Sequence, residues 1–114
     1  NMDWQWQPVT MEDYTSIIAT ILDEKQNRKS FPIVLNLCDG DEINGTPGIS
    51  VVQLLASSGL IYTGADEHFY RITTSKIPMK KAFDAAGVTT AAWKTILLPE
   101  DATKQVVEAL GSPL

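Results

Sequence analysis

Apolar side chains return at helical spacing soon after the start of the chain. Thr10 fits a helix N-cap, and the acids Glu12 and Asp13 follow in the first turn, where the helix dipole favours negative charge. The apolar positions at i, i+3, i+4, i+7 and i+8 are Tyr14, Ile17, Ile18, Ile21 and Leu22. Such spacing places apolar side chains on one helical face. The pattern therefore predicts a helix from Thr10 to about Asn27.

Three short runs have the composition of β-strands. Pro32–Leu37 is apolar at both odd and even positions, which is typical of a parallel strand buried on both faces. Leu60–Thr63 predicts a second strand, closed by Gly64, and Val88–Leu97 predicts a third.

Four further helices are predicted between and after these strands. Gly59 and Gly87 mark the ends of two of them, and Ser75 is the predicted cap of the helix that Gly87 ends. The predicted ranges are Gly48–Ser58, Asp66–Ile72, Ser75–Ala86 and Asp101–Leu110.

The alternation of helices and strands predicts an α/β fold with a mainly parallel sheet. Ligands of such sheets bind at the carboxyl ends of the strands. Segment 38–47 and the Gly64 turn each follow a predicted strand, so we expect both to lie at that edge.

Composition narrows the range of partners. The 114 residues suffice for one domain, and 44% hydrophobic with 20% charged residues is ordinary for a soluble globular protein. The formal net charge of −5 argues against nucleic acid or an anionic membrane as the main partner. No run of eighteen apolar residues occurs, and a single cysteine agrees with a reducing compartment. We therefore expect a cytoplasmic protein without a nucleic-acid or membrane partner.

The stretch LNLCDGDEINGTPG, residues 35–48, concentrates three acids, three glycines and the single cysteine. An EF-hand reading fails because Ile43 and Ser50 stand where oxygen ligands and the bidentate acid are required. A P-loop reading fails because Thr46-Pro47 replaces Lys-Ser/Thr after the second glycine. Composition alone favours a turn-rich surface loop whose acids and asparagine bond their own backbone.

Other reactive side chains have plain interpretations. Cys38 would need a base, and His68, the only histidine, follows thirty residues later, so an inert thiol is favoured over a nucleophile. His68 is interpreted as a surface helical residue. Trp4, Trp6 and Trp93 are interpreted as packing residues, and no ligand cluster for a metal is found.

Lys76 occupies an unusual position. It lies in the first turn of a predicted helix, where a cation meets the positive end of the helix dipole. A solvated lysine and a lysine placed to meet an anion at the helix N-terminus both fit this pattern.

Several motifs together resemble a known family. They are Asn36–Gly40, Asn44-Gly45, Tyr62–Gly64, Ser75-Lys76 and the segment from Ala86-Gly87 to Trp93. In this order they are similar to the N-terminal part of D-alanine–D-alanine ligases and related ATP-grasp carboxylate–amine ligases. The separations from Tyr62 to Lys76 and from Lys76 to Trp93 match that pattern without gaps.

The resemblance implies a Rossmann-like, three-layer pre-ATP-grasp domain with a mainly parallel sheet. Residues 1–97 would form a partial domain of this kind, and residues 98–114 would begin the connection into the ATP-grasp domain. In the family, ATP phosphorylates one carboxylate and an amine attacks the acyl phosphate. Lys76 would contact the ATP phosphates, while Asp39, Gly40, Asp41 and Glu42 would line the cleft for a carboxylate or amino-acid substrate.

The chain also departs from the family. Asp39 stands where the ligases usually have histidine, and the following loop is about three residues longer, so a substrate other than D-alanine is expected. The glycine-rich first strand, the second phosphate lysine and the magnesium carboxylates of the family have no counterpart here. We therefore expect a truncated fragment that is inactive alone, with ATP and Mg²⁺ bound only by the complete ligase and no cofactor bound here.

Two further expectations follow. A parallel sheet without its first strand exposes an edge, which predicts a homodimer. The alternative function is a stand-alone α/β interaction or small-ligand-binding module without catalysis.

Overall fold

A computed structural model describes residues 2–27 and 30–111 of the chain. The chain divides into two compact units, Asn1–Thr74 and Ser75–Leu114. The described parts combine helices with a small parallel sheet, so the mixed helix–strand class predicted from the sequence is confirmed. The predicted boundary after residue 97 remains a prediction, and residues 112–114 of the predicted connection lie outside the described residues. No helix in the described ranges is long and apolar enough to cross a bilayer.

The first unit contains three helices and two strands. Their bounds are α1 Tyr14–Gln26, β1 Ile33–Val34, α2 Ile49–Ser58, β2 Ile61–Tyr62 and α3 Glu67–Thr73.

The predicted N-cap at Thr10 is wrong, because α1 begins at Tyr14 with Asp13 as its N-cap, so that Glu12 and Asp13 precede the first turn. Thr10 instead makes hydrogen bonds in the turn before the helix. The Glu12 amide donates to the Thr10 hydroxyl, and the Thr10 amide donates to the Asp13 carboxylate at 2.7 Å. The Tyr14 amide then donates to the Thr10 carbonyl. These bonds satisfy amides that have no partner inside the helix.

The two strands pair in parallel, with Ile33 opposite Ile61 and Val34 opposite Tyr62. The Thr63 amide extends the pairing by donating to the Val34 carbonyl at 2.9 Å. Helix α2 forms the connection between the strands, as a parallel pair requires. Both predicted strands therefore exist, but each is two residues long.

The core of the first unit lies where α1 and α2 meet the sheet. Its buried members are Ile18, Val51, Val52, Leu55 and Leu60. Val34 and Tyr62 pack against this cluster from the sheet. Gly59 ends α2 in the left-handed conformation at φ 70°, which confirms the predicted stop.

One face of the strand region is uncovered, which makes the prediction of a strand buried on both faces wrong. Ile33 is 58% exposed, whereas Val34 packs on the core. Successive strand residues point to opposite faces, and α1 and α2 supply the apolar partners of one face alone. The residues of this bare face are Phe31, Ile33, Leu35, Leu37 and Ile61.

Trp4 and Trp6 are also exposed, at 76% and 78%, so their interpretation as packing residues is wrong. They lie in a segment without helix or strand, which places neither ring against the core.

The second unit contains α4, Lys76–Ala85, and α5, Lys104–Ala109, with a 3-10 turn at Pro99–Asp101 between them. Gly87 follows α4 at φ 69°, as predicted for its stop. The last helix is shorter than predicted because it begins at the Thr103 cap, whose side chain accepts from the Val106 amide.

The predicted strand Val88–Leu97 is wrong. Residues 88–97 carry no strand, and the described part of the second unit offers no strand to pair with them. The segment is held by side chains of α4 instead. Lys80 donates to the Ala91 carbonyl at 3.1 Å, and the Trp93 indole donates to Asp84 at 3.1 Å.

Leu55→Ala tests the core. Leu55 is only 1% exposed, so we expect the free energy of unfolding to fall by about 2–5 kcal/mol. Leu97→Ala is the control, because Leu97 is 80% exposed and its loss should change stability by less than about 0.5 kcal/mol. Urea unfolding followed by circular dichroism measures both, and equal effects would contradict this placement of the core.

Candidate functional site

The segments after the two strands lie side by side at one edge of the sheet. Because β1 and β2 are parallel, their carboxyl ends coincide. The Asn36 amide donates to the Thr63 hydroxyl at 3.2 Å across this edge. Residues 38–48, the acidic loop, and the Gly64 turn therefore meet where the sequence predicted a ligand site.

Backbone contacts close the acidic loop on itself. The Gly40 amide donates to the Pro47 carbonyl at 2.8 Å, and the Glu42 amide donates to the Thr46 carbonyl at 3.0 Å. A Cβ on Gly48 would lie 2.0 Å from the Gly40 carbonyl oxygen, and a Cβ on Gly40 would lie 2.3 Å from that of Thr46. Both positions therefore require glycine.

Glu42 links the acidic loop to α2. Its carboxylate accepts from the Gly48 and Ser50 amides at 3.2 and 2.6 Å and from the Ser50 hydroxyl at 2.8 Å. These groups surround the N-terminus of α2, where negative charge is favoured. Glu42 adopts a left-handed backbone with φ 62°, an uncommon conformation for a residue with a Cβ.

Asp41 is also engaged within the acidic loop. Its carboxylate accepts from the Ile43 and Asn44 amides at 3.0 and 3.1 Å and from the Asn44 side chain. The bond from the Asn44 amide is the main cause that lowers the pKa of Asp41. This is the self-bonded turn that composition favoured.

Tyr70 of α3 holds the first residue of the acidic loop. Its hydroxyl donates to the Cys38 carbonyl, and the Cys38 amide donates to the Asn36 side chain at 3.1 Å. Together these contacts position Asp39, which follows directly.

Burial raises the pKa of Tyr70, and the nearby Asp39 carboxylate raises it further. The same two causes, in the same order, raise the pKa of the Cys38 thiol. Raised pKa values keep both groups protonated at neutral pH, which disfavours Cys38 as a nucleophile. His68 is exposed on α3, and the described residues contain no Cys38–His68 hydrogen bond.

An open depression of about 480 Å³ lies between Asp39 and α3. We call it the α3 depression, and its lining residues are Asp39, Ala65, Phe69, Tyr70, Thr73 and Thr74. Among the described residues the Asp39 carboxylate has no hydrogen-bond or ion-pair partner. Arg71, the one arginine of α3, forms an ion pair with Glu67 and not with Asp39.

The four predicted cleft residues therefore lie together in the acidic loop but differ in what they offer. Asp39 lines the α3 depression, Gly40 fixes the loop backbone, and Asp41 and Glu42 use their carboxylates on internal amides. The sequence prediction missed the α3 side of the depression. Its signal was present as Phe69, Tyr70, Thr73 and Thr74, spaced i, i+1, i+4 and i+5 on a helix that follows a strand end.

Lys76 belongs to the second unit and is the first residue of α4. Its side chain is exposed and makes no ion pair with any described residue. Ser75 precedes it at the N-cap position without a side-chain cap bond. The role of Lys76 toward phosphate stays a prediction. Within residues 2–27 and 30–111, no three His, Cys, Asp or Glu side chains group as a metal site, so magnesium ligands are not assigned.

Substitutions at Glu42 test the link between the acidic loop and α2. Glu42→Ala removes three hydrogen bonds and keeps a Cβ at φ 62°, so we expect a loss of about 1–2 kcal/mol in the free energy of unfolding. Glu42→Gly removes the same three hydrogen bonds but also relieves the left-handed backbone conformation, so its stability should lie between those of Glu42→Ala and the unmodified chain. Urea unfolding gives the values, with the exposed Glu24→Ala as control. Unchanged stability in Glu42→Ala would show that the hydrogen bonds from Glu42 to the start of α2 do not stabilise the fold.

Comparisons of the chain with models of protein families, with curated proteins and with solved structures found no match. The chemistry of the site therefore rests on its own residues and on the spacing of its motifs.

Proposed function

We propose that the chain is the substrate-side region of a cytoplasmic ATP-grasp ligase similar to D-alanine–D-alanine ligases. Its fold would be part of a Rossmann-like, three-layer pre-ATP-grasp domain. The observation that carries the proposal is the acidic loop at the carboxyl edge of the parallel pair, next to an open depression. Parallel α/β sheets bind their ligands at this edge. The ungapped spacing from Tyr62 through Lys76 to Trp93 supports the same family.

The acidic loop is suited to line a substrate cleft because internal contacts hold its conformation without a ligand. Gly40 and Gly48 allow backbone contacts that a side chain would block, and Glu42 ties the loop to α2. A fixed loop loses little conformational entropy on binding. Asp39 is then the residue that offers charge to the ligand, whereas Asp41 and Glu42 hold the loop.

Lys76 is the proposed contact for the ATP phosphates. Its position at the start of α4 and its lack of an ion-pair partner among the described residues leave its ammonium available. A cation there would stabilise negative charge on phosphate oxygens. In the complete ligase, carboxylates of the later ATP-grasp region would hold the magnesium, as they do in the family.

The second candidate is an interaction module without catalysis. The bare face favours it, because five apolar side chains lie exposed on one side of the strand region. Contiguous apolar surface of this kind marks interaction sites in soluble proteins.

Lys76→Ala separates the two candidates. In the protein made from its complete gene, we expect ADP release from ATP to depend on added carboxylates and amino acids. Lys76→Ala should lower kcat/KM by at least about tenfold, because one charged phosphate contact is lost. Lys81→Ala is the matched control, since Lys81 is exposed on the same helix and should change little. Substrate-independent ADP release, or full turnover in Lys76→Ala, would contradict the ligase role.

We also propose that the bare face mediates a homodimer. Analytical ultracentrifugation from about 10 to 500 µM should show mass-action dimerisation, which Leu35→Lys weakens by placing a charge in the apolar contact. Leu97→Lys adds the same charge at another exposed leucine and should leave dimerisation unchanged. A monomer at every concentration would refute the dimer.

A further inference from the structure

We propose that the α3 depression binds a primary ammonium group carried on a short apolar chain, and that Asp39 is the residue that selects it. The binding site stands on the geometry of the first unit. Its assignment to the amine-bearing substrate of a ligation rests on the proposed function.

Charge is the first argument. Asp39 presents a carboxylate to the α3 depression, and no Lys or Arg is among the lining residues. Arg71 cannot serve as an internal counter-charge in this conformation, because its guanidinium donates to Glu67, which also accepts from Gln53. An anionic ligand would therefore meet an unbalanced negative charge, whereas a cation would balance it.

Hydrogen-bonding capacity is the second argument. The Thr73 hydroxyl donates to the Phe69 carbonyl at 2.8 Å, and the Thr74 hydroxyl donates to the Tyr70 carbonyl at 2.7 Å. The Tyr70 hydroxyl donates to the Cys38 carbonyl. All three hydroxyl protons are thus committed, so the oxygens of these side chains remain as acceptors.

The side chains of the lining favour one class of ligand. Asp39 and the three hydroxyls together offer oxygens but no free side-chain donor. An ammonium has three donors and no acceptor, so its hydrogen-bonding capacity complements this lining. A carboxylate or phosphate would bring acceptors against acceptors. A neutral hydroxyl could donate only once and would leave the charge of Asp39 unbalanced.

The apolar residues of the lining indicate the chemistry of the ligand beyond its ammonium group. They are Phe69, which is 56% exposed, and Ala65. An aromatic ring beside a cation adds attraction through its quadrupole. The volume of about 480 Å³ falls within the range of small-molecule sites. A short alkyl chain therefore fits beside the ammonium.

A titration with n-butylammonium chloride tests the site in the unmodified 114-residue chain. Amide shifts in ¹⁵N-labelled protein should saturate at millimolar ligand, as befits a small ligand in an open site. The shifts should centre on Asp39 and on residues 65, 69, 70, 73 and 74. The isosteric n-butanol, and the anion n-butyrate at matched ionic strength, should give no saturable shifts there. Saturation by n-butanol at the same concentration would overturn the proposal.

Asp39→Asn isolates the selecting charge while preserving shape. We expect it to weaken n-butylammonium binding by about two- to fivefold, since exposed ionic contacts contribute modestly. Glu24→Gln removes one negative charge from an exposed position on α1 and should bind as the unmodified chain does. Equal affinity in Asp39→Asn and the unmodified chain would refute the assignment to Asp39.

Two outcomes separate this inference from the proposed function. Ammonium binding without amine-dependent ADP release would preserve the site and refute the ligase. Amine-dependent ADP release in which Asp39→Asn leaves the KM for the amine unchanged would preserve the ligase and refute the site.

Discussion

The parallel pairing of β1 with β2 decides where every candidate residue of the first unit lies. Two parallel strands cannot be joined by a hairpin, so α2 must cross between them, and its apolar side packs with α1 to form the core. The same pairing brings both strand ends to one edge. The acidic loop, the Gly64 turn and the start of α3 meet there as a consequence. The site and the core are therefore two results of one topological constraint.

Within that site the acids divide between structure and binding. Glu42 satisfies amides at the start of α2, and Asp41 satisfies amides of its own turn, so their charges are already used. The Asp39 carboxylate has no such bond among the described residues, while the preceding carbonyl of Cys38 accepts from the Tyr70 hydroxyl. An acid-rich sequence thus yields one carboxylate available to a ligand.

Local signals in the sequence predicted the elements that local interactions stabilise. Gly59 and Gly87 ended helices as expected, because a left-handed backbone conformation is decided within a few residues. The strand at 88–97 failed because a strand depends on a partner that no local pattern reveals. The α3 side of the depression was missed for a related reason. Thr73 and Thr74 acquire their acceptor character from hydroxyl bonds to the preceding turn, which only the structure displays.

The strand region around β1 is apolar at both odd and even positions, and the core accounts for only one of these two sets. Val34, at an even position, packs on the core. Ile33, Leu35 and Leu37, at odd positions, are exposed. Burial of apolar surface is the main gain of folding and association, so a face of this kind lowers the free energy once it is covered. The bare face and the α3 depression differ in chemistry, apolar against acceptor-rich. One protein can therefore use the first for assembly and the second for a ligand without competition between them.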